Sequence, residues 1–305
     1  MSKFKPIFVV GHPRSGTTML ASLLGRHSKI SMPPETMFFF DVYEEGLNES
    51  IDFIEKAMNS KRVSDLGLER ELLVNEFYKL DNSMRGLFQS ILISYCNKSG
   101  KVRPGEKTPL HLKWASTIVK WFPDAKIICI IRDGRDVVNS LLNVPWSHDN
   151  TYKHCYDWGE NILLARKLEN ILPDQFMTIK YEDILAECEV KVKEVCHFVG
   201  EEFQPEMLIN SKSGVVPEWE KKWKGKAVGT VDRNNTGKWV GLPLEVKETM
   251  NTLMINSLKK MGYPVRRPNL FVYVKCWMKA WPFHPKVRPF FSALKRSLLV
   301  LQRKK

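Results

Sequence analysis

The sequence predicts an α/β protein built on a doubly wound parallel sheet, and three stretches carry that expectation. The first is an apolar run, Ile7 to Val10, that meets Gly11-His-Pro-Arg-Ser-Gly-Thr-Thr18 and then a helical pattern with Leu20, Leu23 and Leu24 on one stripe. The second is Ala125 to Ile131, a continuous apolar run that suits a parallel strand buried on both faces. The third, Phe176 to Tyr181, leads through Glu182-Asp183 into a helix reaching Val199. Strands alternating with helices imply a parallel sheet. Ligands in such sheets sit at the carboxyl ends of the strands, where the loops after Val10 and Ile131 are expected to converge.

The remaining stretches fall around this frame. Ile30 to Phe40 reads as a short extended segment broken by Pro33-Pro34, with Glu35 between the prolines and an aromatic run. Residues 41–100 read as a helical insertion, with Ile51, Ile54 and Met58 on one stripe and Leu87, Ile91 and Tyr95 on another. Gly105 to His111 reads as a loop, followed by a helix ending near Trp121-Phe122-Pro123. Trp219 to Trp239 is polar and reads as an exposed loop. We expect one domain over residues 1–268 and a separate basic, aromatic, helical tail over 269–305.

Charge and composition narrow the classes of function. The chain has 305 residues, enough for a sizeable core, and a formal net charge of +13. Nine Lys and Arg without any Asp or Glu lie in 269–305, which leaves only +4 for the rest. The body therefore suits an anionic small molecule and gives no reason to expect nucleic acid. The tail mixes its cations with seven aromatics, and Phe290, Phe291, Leu294, Leu298 and Leu301 share a helical stripe. It is a candidate for resting on an anionic membrane surface, or for packing its aromatics on the domain. No run approaches the ~20 apolar residues of a membrane span. The start of the chain carries no secretory signal, and its six cysteines form no Cys-x-x-Cys pair. The expectation is a cytoplasmic protein, peripheral at the membrane if the tail binds there, without a metal site.

Four groups of residues carry chemistry. Strand, tight loop and helix at Gly11 to Thr18 form the layout in which backbone N–H groups and a helix N-terminus cradle a phosphate. The Gly-Lys-Ser/Thr ending of a Walker A loop is replaced by Gly16-Thr17-Thr18, and the only cation inside the loop is Arg14. Arg132 stands at the mouth of the strongest strand, with the hydroxyl of Ser140 eight residues on. Arg233, Gly237, Lys238 and Trp239 make a cationic segment able to close over a nucleotide. Glu35 and Lys107 supply one carboxylate and one amine beside the sheet edge.

These residues resemble those of the sulfotransferase family that uses 3′-phosphoadenosine 5′-phosphosulfate (PAPS). His12-Pro-Arg-Ser-Gly-Thr-Thr18 resembles the family's 5′-phosphosulfate loop, and Ile130 to Ser140 its 3′-phosphate motif, with Arg132 and Ser140 in the binding positions. Tyr181-Glu-Asp-Ile-Leu185 is similar to a further family segment, and Arg233 to Trp239 more loosely to the nucleotide-closing loop. The resemblance spans roughly residues 6–240 and implies PAPS as cosubstrate, with no metal. It assigns donor binding to His12, Pro13, Arg14, Ser15, Gly16, Thr17, Thr18, Arg132, Ser140, Arg233, Gly237 and Lys238. The cytosolic branch takes its base from a Lys-Thr-His segment, which is Lys107-Thr108-Pro109 here, so that His is missing. The carbohydrate and protein-tyrosine branches place a Glu soon after the first helix, where Pro34-Glu35-Thr36 lies. Glu35 is then the expected base, His111 the second choice, and Arg14 and Lys107 neutralise charge on the leaving phosphate.

The resemblance implies transfer of a sulfuryl group to a hydroxyl by in-line displacement, with a sugar or glycolipid acceptor favoured. Two competitors stand beside it. A P-loop nucleotide kinase is disfavoured by the missing loop lysine. A basic membrane-surface or nucleic-acid-binding module draws on the tail's charge alone and leaves the organised anion loop unexplained.

Overall fold

The computed structural model describes residues 4–43, 50–209, 235–268 and 270–281. Arg233 and residues 282–305, including the apolar stripe from Phe290 to Leu301, lie outside the described residues. Contacts group the chain into two units, residues 1–132 with 164–234, and residues 133–163 with 235–305. A boundary at 268, drawn from charge alone, does not coincide with this grouping.

The first unit contains the whole sheet. Strand β1 (Ile7–Gly11) sends Ile7 and Val9 to one face and Phe8 to the other, as the two-residue period of a strand requires. Ile7 and Val9 meet helix α1 (Thr17–Gly25), and Phe8 meets Phe88 and Phe122. Both faces are covered, which is why the run is apolar throughout. The insertion is helical as expected: α2 (Phe38–Asp41), α3 (Ser50–Asn59), α4 (Lys61–Ser64), α5 (Arg70–Tyr78) and α6 (Met84–Lys98) follow the short strand β2 (Ile30–Ser31).

Strand β3 (Arg103–Lys107) is the main departure from the sequence reading, which took Gly105 to His111 as loop. Its Pro104-Gly105 pair is a turn signal locally, yet β3 lies between β2 and β1. Gly105 is there for space: a Cβ would come within 2.3 Å of Met32 Sδ and 2.6 Å of the Ser31 carbonyl. Helix α7 (Ala115–Trp121) leads to β4 (Lys126–Ile131), then helices α8 (Gly134–Leu142) and α9 (Thr151–Ile171), and β5 (Phe176–Lys180). The five strands are parallel in the order β2-β3-β1-β4-β5, and α10 (Tyr181–Ala186) and α11 (Cys188–Val199) follow β5. Gly11 is paired with Ile130, so the loops after β1 and β4 leave the sheet at one end, as the sequence implied.

In the second unit, α8 packs beside α12 (Leu244–Lys260), and Gly134 lets Trp158 and Met254 approach the helix start. Helix α13 (Leu270–Ala280), the described part of the tail, lies along α12. Cys276 and Ala280 are buried there, and the Trp277 ring meets Tyr156 at 6.0 Å. The described tail is thus a docked helix.

Gly105→Ala is expected to lower stability by about 2 kcal/mol, because the added methyl meets backbone as well as a flexible thioether. An unchanged urea midpoint would contradict the close β2–β3 contact.

Candidate active site

The anion loop has the geometry its sequence implies. Gly16 caps α1 with φ 102, no side chain caps the helix, and no acidic residue lies in its first turn. The N-terminal end of the helix dipole is therefore left to an anion. A Cβ on Gly16 would meet the Tyr181 ring at 2.4 Å, which fixes glycine at this position. Ser15 is 1% exposed, and its Oγ has no hydrogen-bond partner among the described residues. A buried hydroxyl aimed at nothing fits a loop completed by a ligand. His12, Thr17 and Thr18 are buried beside it, and Pro13 is half-buried.

Arg14 adopts φ 71, a left-handed conformation rare for a residue with a Cβ. Arg132 Nη1 donates to the Arg14 carbonyl at 3.1 Å, and its guanidinium lies 4.7 Å over the Tyr181 ring. Tyr181 therefore supports both the loop glycine and the strand-end arginine. The family segment from Tyr181 had signalled a resemblance, and the structure adds this contact. Burial lowers the pKa of Arg14, the nearby charge of Arg132 lowers it further, and Glu35 pulls it back up.

Glu35 and Lys107 meet: Lys107 Nζ donates to Glu35 Oε1 at 2.8 Å. Glu35 does not cap a helix, since α2 starts at Phe38 after an N-cap Met37. Lys107 is not a surface lysine either. Its side chain has no exposed area, while Glu35 keeps 11%. The pair sets an amine directly against the carboxylate. His111, by contrast, is wholly buried. Its Nδ1 lies 3.0 Å from Glu106 Oε2, and its ring packs on Phe39 and Phe88. The Glu35 side chain thus keeps some exposed surface, and His111 has none.

Glu106 is the residue the sequence reading missed. It has no exposed area and accepts from Thr36 Oγ1 at 2.9 Å and Thr108 Oγ1 at 2.6 Å. Taking Gly105 to His111 as a loop hid it; a glutamate inside a recognised inner strand would have stood out.

The remaining expected site residues lie in the second unit. Ser140 is half-buried on α8, in the second turn after Arg132. Gly237 and Lys238 belong to a segment organised by Asp136, whose carboxylate accepts from the N–H groups of Gly237 at 2.7 Å and Trp239 at 3.1 Å. Arg135 lies 4.0 Å over the Trp239 ring, with its own charge met by Asp133. Neither Asp136 nor Arg135 was singled out from the sequence. Among the described residues no group of three or more His, Cys, Asp or Glu is placed to hold a metal.

Fold and site together define an α/β protein with an uncapped anion loop at the end of its first strand and a Lys–Glu pair beside it. The chain belongs to the Sulfotransferase family, whose model matches residues 6–205. The protein-tyrosine sulfotransferase of Drosophila melanogaster is 25% identical over 288 residues, covering 90% of this chain; the chain spans 54% of that relative's length. Protein-tyrosine sulfotransferase 1 of Danio rerio is 24% identical over 270 residues, covering 84% of this chain and 72% of its own. Among solved structures, the sulfotransferase domain of the Synechococcus PCC 7002 olefin synthase shares the fold with a TM-score of 0.66 at 19% identity. The match covers 87% of this chain and 98% of that domain.

The buried Glu106 ties stability to pH. Burial pushes its pKa up, but His111 and the hydrogen bonds from Thr108 and Thr36 outweigh that and hold it below its usual 4.5. A carboxyl lowered on folding stabilises the protein above its ordinary value, and that contribution is lost as pH falls through the folded value. Urea midpoints of the wild type should therefore drop as pH falls below the ordinary carboxylate value of 4.5, and Glu106→Gln should lose part of that slope.

Proposed function

We propose that the protein is a PAPS-dependent sulfotransferase that moves a sulfuryl group to an acceptor hydroxyl, with Glu35 as general base. The observation that carries this reading is the Glu35–Lys107 pair, held near an anion loop whose Ser15 hydroxyl has no partner among the described residues. Arg14 lies close enough to Glu35 for their charges to interact. PAPS, when bound, supplies the sulfuryl group and leaves as 3′-phosphoadenosine 5′-phosphate (PAP).

The chain's own residues do the rest. The loop from His12 to Thr18 offers backbone N–H groups, the Ser15 hydroxyl and the Arg14 cation to the 5′ side of the donor. Arg132 is the cation for the 3′-phosphate. Ser140, Gly237, Lys238 and Arg233 are donor-binding candidates by resemblance. Lys107 orients Glu35 through their hydrogen bond, and Glu35 takes the proton of the attacking hydroxyl. With no exposure of its own, Lys107 acts through Glu35 in this arrangement.

Two acceptor classes compete. The cationic, aromatic tail favours a sugar or glycolipid hydroxyl, while the position of Glu35 suits either class. The relatives named protein-tyrosine sulfotransferases favour a tyrosine phenol. Radiolabelled PAPS offered with oligosaccharides, glycolipids and tyrosine peptides separates them by which product takes the label. Glu35→Gln should bind PAP as the wild type does while kcat falls at least about a hundredfold. Failure of the folded wild type to bind PAP in calorimetry would sink the reading.

A membrane location has its own observation. Helix α13 docks one face and exposes Phe271, Val274 and Met278 at helical spacing on another, with exposed Trp281 just past its end. With nine cations and no acids in 269–305, the matching partner is an anionic lipid surface. The protein is expected to sediment with vesicles containing phosphatidylserine, and Phe271→Ser with Met278→Ser should abolish this without changing PAP affinity. Equal sedimentation with neutral vesicles would argue against the charge contribution.

A further inference from the structure

Directly beside the Glu35–Lys107 pair lies an acid that the transfer reading does not use. Glu106 precedes Lys107 on β3 and has no exposed surface. A charge buried here is costly unless it is fully partnered, since an apolar side chain of similar volume is often at least as stable in a buried site. The carboxylate is completely engaged. Its Oε1 accepts from Thr36 Oγ1 at 2.9 Å, Thr108 Oγ1 at 2.6 Å and the Thr36 N–H at 3.4 Å, and its Oε2 faces His111 Nδ1 at 3.0 Å.

Neighbouring residues on a strand point to opposite faces, so Glu106 and Lys107 leave β3 on opposite sides. Their partners are also neighbours in sequence. Thr36 is bound to Glu106, and Glu35 to Lys107. Residues 35 and 36 thus straddle the end of the strand, tied on both sides. The next residue, Met37, has φ 49, a left-handed conformation that a side chain rarely adopts. Such a turn persists only where its surroundings impose it. The Thr36 bonds to Glu106 impose it, together with the Met37 N–H donating to Thr108 Oγ1 at 3.3 Å and the Phe38 N–H donating to Thr36 Oγ1 at 3.3 Å.

We propose that Glu106 is a positioning residue: through Thr36 it fixes the backbone that carries Glu35, keeping the base on Lys107 and in line with the acceptor hydroxyl. Thr36, Thr108 and His111 belong to the same device, which gives His111 a role through Glu106 and none on the substrate. This inference rests on the sulfuryl-transfer reading above.

Thr36→Val removes the hydroxyl donor at nearly constant volume, and Glu106→Gln keeps one acceptor oxygen while removing the charge. Both variants should melt cooperatively and bind PAP as the wild type does, with kcat about tenfold lower and the KM for PAPS unchanged. Thr36→Ser, which restores the hydroxyl, should return kcat toward the wild-type value; a merely structural defect would not divide in this way between kcat and KM. If Glu106→Gln fails to fold, the Thr36 pair decides alone. Wild-type kcat in folded Thr36→Val, or no recovery in Thr36→Ser, overturns the proposal. If the wild type transfers to no acceptor, the transfer reading fails, and positioning is read separately by NMR of protein labelled at the glutamate carboxyl carbons. The Glu35 signal should move in Thr36→Val and return in Thr36→Ser, and an unmoved signal overturns the proposal.

Discussion

The hydrogen bond from the Arg132 guanidinium to the Arg14 carbonyl joins the loops at the ends of two neighbouring parallel strands, and the anion site depends on it. Arg14 is left-handed, a conformation that needs an external hold. Arg132 provides that hold and is itself backed by the Tyr181 ring. The same ring fills the space that a side chain at Gly16 would need, so one tyrosine supports the cation and the turn together. Gly11 makes the arrangement possible: a Cβ there would lie 2.5 Å from the Ile130 carbonyl and push β1 from β4.

A second constraint runs through β3. Two charged residues in succession on an inner strand are costly to bury, and each is matched on its own side, Glu106 by Thr36, Thr108 and His111, Lys107 by Glu35. The loop after β2 is held by these polar partners as well as by the buried Met32, and the Glu35 side chain it carries stays partly exposed. Membership in the Sulfotransferase family agrees with this arrangement.

Much of the site was legible because its motifs are contiguous. Gly11 to Thr18 encodes strand end, turn and helix start within a few residues, and Arg132 follows the most apolar run in the chain. The pairing of Glu35 with Lys107 could be suspected, but the segments lie 72 positions apart and nothing local states that they touch. Glu106, Arg135 and Asp136 were not legible, since each acts through partners distant in sequence. Charge set the tail apart in the sequence, but which face of its first described helix docks on α12 was not legible, because charge reports what faces water and not which face is buried.

By itself the sequence determined the alternation of strands and helices outside β3, the anion loop with its missing lysine, and the family those motifs resemble. These follow from local periodicity, backbone preference at glycine and proline, and residue chemistry at short spacing. Only the tertiary structure decided that Arg103–Lys107 is an inner strand, that Lys107 is buried against Glu35, and that Glu106 anchors the turn beside them. Strand pairing satisfies backbone groups between segments far apart in the chain, and there it overrode the local turn signal of Pro104-Gly105.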